Sequence, residues 1–131
     1  MTFKLHETLE KDLVEIGKLG LCSLYMLPDS DNPWAVIVPE LEAVREMHEL
    51  SESDQITLMK EITRVSSFMQ AEFKADKMNV GALGNMVPQL HIHIICRFEG
   101  DKAWPGAIWG SKLGQDKEMI SAIENTLKKL V

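Results

Sequence analysis

The chain has 131 residues, 45% of them apolar, which suits one globular domain over residues 1–131 with a core of its own. Its 14 Lys and Arg against 20 Asp and Glu leave a net charge of -6, which argues against attachment to nucleic acid or to an anionic membrane through a general positive field. With no basic segment leading into an apolar one at the start and no apolar run long enough to cross a bilayer, a cytoplasmic protein is expected.

Leu9, Leu13, Ile16 and Leu19 recur at spacings of four, three and three, which predicts a helix over residues 8–19 that Gly20 ends. Residues 21–27 have strand character and stop at the turn cluster Pro28-Asp29-Ser30-Asp31-Asn32-Pro33. The nearly continuous apolar run from Trp34 to Val38, closed by Pro39, reads as a buried strand pairing antiparallel with the one before. Leu41, Val44, Met47 and Leu50 suggest a turn or short helix at the sheet edge. Ser51 and Ser53 offer N-caps for a long helix over residues 53–75, in which Ile56, Met59, Ile62, Val65, Met69 and Phe73 recur at three or four. Residues 78–83 and 90–97 read as strands on either side of a polar loop, and Met119, Ile120, Ile123, Leu127 and Leu130 mark a last helix. Cys22 and Cys96 lie in apolar runs without a CxxC spacing and read as buried thiols.

The stretch Gln89-Leu90-His91-Ile92-His93-Ile94-Ile95 carries the chemistry. Along a strand, alternate residues share a face, so Gln89, His91 and His93 are expected on one side and Leu90, Ile92 and Ile94 on the other. An imidazole nitrogen is a competent nucleophile toward phosphorus when a hydrogen bond fixes the other ring nitrogen. A solvated polar strand face gives the same pattern. So does a metal-binding strand, since two histidines at i and i+2 can chelate Zn²⁺, but no third ligand is evident at ligand spacing.

The heptad resembles the signature of the histidine-triad (HIT) family, His-φ-His-φ-His-φ-φ with φ apolar, here with Gln89 in the first histidine's place. Trp34-Ala35-Val36-Ile37-Val38-Pro39 is similar to the family's buried strand ending in proline. Asn79 followed by Gly84-Asn85-Met86-Val87-Pro88, with Arg97 after the heptad, resembles the family's approach to the triad. The resemblance implies an α+β HIT-like fold, with a mostly antiparallel sheet, one long central helix and terminal helices. It also implies a homodimer with the sheets continued across the interface.

In function it implies a nucleotidyl hydrolase or transferase, acting on a nucleoside phosphoramidate, a dinucleoside polyphosphate or a related nucleotide conjugate. His91 would attack the α-phosphorus, with His93 and Gln89 beside it. Asn79, Asn85 and the backbone around Met86 and Val87 would surround the phosphate, and Asp29, with Asp31 competing, would hold the ribose. No metal or other cofactor is implied. Gln89 cannot exchange a proton near neutral pH, and Trp34 stands where many members carry a further histidine. A purine-nucleotide-binding protein without catalysis is the rival reading. The segment 101–110 brackets a Pro-Gly turn with Trp104 and Trp109, and it reads either as a wall beside the site or as a loop pinned to its own core.

Overall fold

In the computed structural model, which describes residues 3–131, a five-stranded sheet is built from β1 (Val14–Lys18), β2 (Cys22–Met26), β3 (Trp34–Pro39), β4 (Lys77–Gly81) and β5 (Ile92–Arg97). The spatial order is β1-β2-β3-β5-β4, and every neighbouring pair is antiparallel. Three helices complete the fold: α1 (Glu7–Asp12), α2 (Glu52–Phe73) and α3 (Lys117–Leu127).

β3 lies between β2 and β5, and all six of its residues are buried, which explains why it reads as an unbroken apolar run and not as an alternation. The alternation is still present in where the side chains go. Ala35 and Ile37 join Cys22, Leu24, Met26, Ile92, Ile94 and Cys96 in one core, against Leu58, Ile62, Val65 and Met69 of α2 and Ile123 and Leu127 of α3. Trp34, Val36 and Val38 face the other way, where they pack with Leu9, Tyr25, Ile95 and Ile108. The sheet thus has a helix-covered face and an opposite face covered by α1 and the segment around residues 103–109. Both cysteines are free and buried, and burial pushes the Cys96 thiol up to about 12 and the Cys22 thiol higher still.

The long helix starts where the sequence places it, with the Ser51 hydroxyl accepting from the Asp54 N–H at 3.1 Å. Its buried stripe is Leu58, Ile62, Val65 and Met69, whereas Ile56 and Met59 are exposed, so the phase differs at the first two turns from the expected one. The expected helix over residues 8–19 does not form as a unit. α1 ends at Asp12 and the chain turns into β1, which pairs with β2 from Val14↔Met26 through an irregularity between Glu15 and Gly17. The apolar spacing misleads because its members serve two cores: Leu9 packs on one face of the sheet and Ile16 on the other. Among the described residues, no helix is long and apolar enough to cross a membrane.

Candidate active site

β5 begins at Ile92, so His91 sits on the last residue of the loop that feeds it, and His93 is one register position inside, opposite Val36 of β3 and Gly81 of β4. The two imidazoles share the face away from α2, edge to face with centroids 5.1 Å apart. His91 is buried to 7% exposure and His93 is half-buried. Together with residues 83–87 they line a cavity of about 260 Å³.

The hydrogen bonds assign both tautomers. His91 Nδ1 lies 2.7 Å from the Gln89 backbone carbonyl, which can only accept, so Nδ1 carries the proton and Nε2 keeps its lone pair. The Trp34 indole can only donate, and its Nε1–H points at His93 Nδ1 over 2.9 Å, so His93 carries its hydrogen on Nε2. Adjacent rings therefore present opposite faces of the same chemistry, one a free lone pair and the other an N–H donor. Burial, reinforced by the neighbouring His91 ring, pushes His93 down to about 4 and keeps it neutral.

The aromatic surround is assembled from distant segments. Trp109 stands perpendicular to His93 at 5.7 Å and to Trp34 at 6.2 Å, and Trp34 meets His93 edge-on at 5.7 Å with an interplanar angle of 76°. A Cβ on Gly81 would come within 3.1 Å of the Trp109 ring, so the glycine at the end of β4 is what lets the indole lie there. The segment 101–110 is thus both things the sequence allowed: Trp109 is a wall against His93, and Trp104 is pinned under the Arg97 guanidinium at 5.6 Å.

Not every expected residue reaches the cavity. Asn85, Met86 and Val87 line it, with Gly84 in the left-handed conformation (φ 68°) that turns the loop. Asn79 lies on β4 on the same face, and its Oδ1 accepts from Arg97 Nη1 at 2.8 Å, which leaves its amide hydrogens free for other acceptors. The Gln89 side chain does not line up with the histidines. Its Oε1 accepts from the His6 N–H at 2.7 Å and its Nε2 donates to the Lys4 carbonyl at 3.0 Å, because the chain is not yet in the strand at residue 89 and alternation does not apply. Its contact with His91 is through the main chain. A second cavity, of about 380 Å³, opens beside it between Lys4, His6 and residues 43–45.

Asp29 is likewise placed elsewhere. It is 1% exposed, with Oδ2 accepting from Lys102 Nζ at 2.6 Å and Oδ1 from the N–H groups of Asp31 and Gly114, both at 2.9 Å. It ties the β2–β3 turn to the segment before α3 and has little acceptor capacity left for ribose hydroxyls. Asp31 is exposed and shares Lys102 at 3.3 Å.

Sequence reasoning missed the buried centre behind the site. Arg97 and Asp101 pair through Nε–Oδ2 at 2.9 Å and Nη2–Oδ1 at 3.1 Å, with side chains 2% and 6% exposed. Asn32 and the N–H groups of Phe98, Ala103 and Trp104 complete the shell of Asp101. Chiefly the Arg97 hydrogen bonds hold that carboxyl well below the usual carboxylate range. The available signal was an Arg and an Asp four apart across a predicted strand end. Among the described residues, no group of three or more His, Cys, Asp or Glu is arranged to hold a metal ion.

The fold is an α+β antiparallel sheet backed by one long helix, with two oriented histidines entering the inner strand β5 between β3 and β4, and comparison with known proteins identifies its family. The HIT domain model matches residues 8–100, and the chain belongs to the HIT domain family. It is similar to the histidine triad protein of Bradyrhizobium japonicum, with 38% identity, a TM-score of 0.94, and coverage of 100% of this chain and 99% of that one. The histidine triad proteins of Sinorhizobium meliloti 1021 (38%, TM-score 0.92, 99% and 98%) and Marinobacter aquaeolei VT8 (40%, TM-score 0.93, 99% and 96%) are similar to it over the same extent. No curated protein matches the chain.

Proposed function

We propose that the protein is a nucleotidyl hydrolase that works through a covalent intermediate on His91. The observation that carries this reading is the His91 ring itself. With Nδ1–H held by the Gln89 carbonyl, the Nε2 lone pair of a buried imidazole borders a cavity large enough for a phosphoryl group. Nε2 forms a bond to the α-phosphorus as the bond to the leaving group breaks, and the positive charge on the ring is stabilised through Nδ1–H. Water then attacks the same phosphorus, and the electron pair of the P–N bond returns to Nε2.

The loop supplies the surroundings of the phosphate. The His93 Nε2–H, the amide of Asn85 and the backbone N–H groups of Met86 and Val87 are neutral donors on a strand and the loop before it, with the Asn79 amide on the same face of neighbouring β4, which suits a reaction governed by positioning and charge stabilisation. The substrates in view are nucleoside phosphoramidates, dinucleoside polyphosphates and related nucleotide conjugates. The neighbouring 83–87 loop carries Met86, which is 93% exposed, and Val80 and Leu83 are also half-exposed at or just after the edge strand β4. An apolar edge of this kind supports a homodimer with sheets continued across it, checked by the mass in solution.

The test is to mix the protein with an AMP phosphoramidate and with a diadenosine polyphosphate, following AMP release and intact protein mass. Loss of a nucleophile should lower turnover by on the order of 10⁴- to 10⁶-fold in His91→Ala and abolish any adenylyl adduct. A second reading, purine-nucleotide binding without catalysis, is favoured by one observation: the Gln89 side chain is spent on the N-terminal segment and offers nothing to the cavity. Nucleotide binding with neither turnover nor adduct would establish it.

A further inference from the structure

Attack by His91 expels a leaving group, and protonating that group requires an acid in the cavity. His91 uses its ring nitrogens for the Gln89 carbonyl and for attack. Residues 83–87, the remainder of the lining, carry no ionisable side chain. Gln89 has no proton to exchange near neutral pH, and both ends of its amide are held by the backbone at residues 4 and 6. Among the described residues lining the cavity, His93 is the one titratable group left.

His93 cannot take that role without breaking its own support. Acting as an acid requires imidazolium, with hydrogens on both ring nitrogens, but Nδ1 faces the Nε1–H of Trp34 at 2.9 Å. Two N–H groups would then oppose each other between buried rings, since Trp34 is 3% exposed and Trp109 closes the other side of His93. Burial opposes the charge for the same reason, and the His93 ring is pushed down to about 4.

We propose that Trp34 is a positioning residue whose indole N–H locks His93 as the Nε2–H donor, withdrawing it from proton transfer so that the leaving group departs as an anion. The proposal rests on the nucleotidyl reading for its reaction but not for its tautomer. In the first step the P–N bond to His91 Nε2 forms and the bond to the leaving oxygen breaks. That oxygen keeps the electron pair and takes no proton from the protein, while His93 keeps its Nε2–H and donates it in a hydrogen bond to a phosphoryl oxygen. Leaving groups that are stable anions near neutral pH, carboxylates and phosphates, depart unaided. An alkoxide or an amine lacks the contribution of a positioned general acid, about 10²- to 10⁴-fold.

The lock is read directly by ¹⁵N NMR of the histidine rings, with and without AMP, in the unaltered protein and in Trp34→Phe, with Trp34→His as a variant that restores a ring N–H. Expected is a His93 that is protonated only on Nε2 from pH 8 down to 5. In Trp34→Phe it gains the second tautomer and a proton within that range, and Trp34→His recovers part of the lock. AMP bound in the cavity shifts the Nε2–H signal and not Nδ1. A His93 that carries hydrogen on Nδ1 in the unaltered protein, or that behaves identically in Trp34→Phe, overturns the proposal. The second arm measures kcat against AMP esters of graded leaving-group acidity, where a steep dependence is expected and equal rates for acidic and basic leaving groups overturn the anionic departure. Absence of any turnover or adduct overturns the nucleotidyl reading and its leaving-group step together, and it is told apart from failure of the lock because the NMR result stands without catalysis.

Discussion

The two faces of the sheet share the inner strands β2, β3 and β5 and have little else in common. Toward α2 and α3, Cys22, Leu24, Met26, Ala35, Ile37, Ile92 and Ile94 form an apolar layer 0–1% exposed, and its stability comes from area removed from water. On the other face, alternate residues of the same strands hold a smaller apolar cluster interrupted by His91, His93 and Arg97, whose places are set by directional hydrogen bonds. One face tolerates exchange of apolar groups of similar volume, and the other depends on which atom donates to which. Stability and chemistry are therefore separable on this sheet, and substitutions on the two faces should behave differently.

The largest effect on stability is expected from breaking the polar face at its most buried pair. Arg97→Ala leaves Asp101 charged and shut away from water, a loss of about 3–5 kcal/mol measurable by denaturant unfolding. It also frees Asn79, so nucleotide affinity should fall in any fraction that still folds. The same carboxyl gives an acid-side signature. Its folded value lies below its unfolded one, so its contribution is complete above the unfolded value near 4 and is lost as pH falls below it.

His93 supplies a second, smaller pH effect with its own window. Folding lowers it from 6.5 to about 4, so between those values the unfolded chain binds the proton that the folded one refuses. Stability then rises with pH across the window, is complete above 6.5, and is lost as pH falls toward 4. The full span amounts to on the order of 3 kcal/mol. Unfolding free energy measured from pH 7 to 4 should show this slope, and His93→Phe should remove it while leaving the steeper loss at lower pH from Asp101.

How much of this contrast the sequence makes visible depends on the range of the interactions. The His91–His93 alternation and the unbroken apolar run of β3 are local patterns that follow from strand geometry, and both are where they were expected. The boundary between α1 and β1 is not local, because β1 exists through its pairing with β2, and Leu9 and Ile16 look like one stripe while packing on opposite faces. The Trp34–His93 hydrogen bond spans 59 positions in the chain, and no spacing rule reaches that far. Asp29 shows the same limit from the other side: a carboxylate in a turn cluster is compatible with ribose or with a cation, and only the fold brings Lys102 to it.

The smallest effect tests the helix-covered face at a buried polar contact. Glu61 of α2 is 9% exposed, and its two carboxylate oxygens accept from the N–H groups of Leu21 at 2.8 Å and Cys22 at 2.9 Å, where the chain turns into β2. Glu61→Gln retains the shape but replaces one acceptor by an NH₂ group, so one of those backbone N–H groups loses its partner. The expected cost is about 1–3 kcal/mol, read from the midpoint of urea unfolding. AMP binding and turnover should stay as they were, since Glu61 touches neither histidine nor the loop that lines their cavity. A change in turnover without a change in stability would mean that the two faces are coupled through β2 and β3. In that case the directional network around His93 would owe its geometry to the layer beneath it as well as to Trp34.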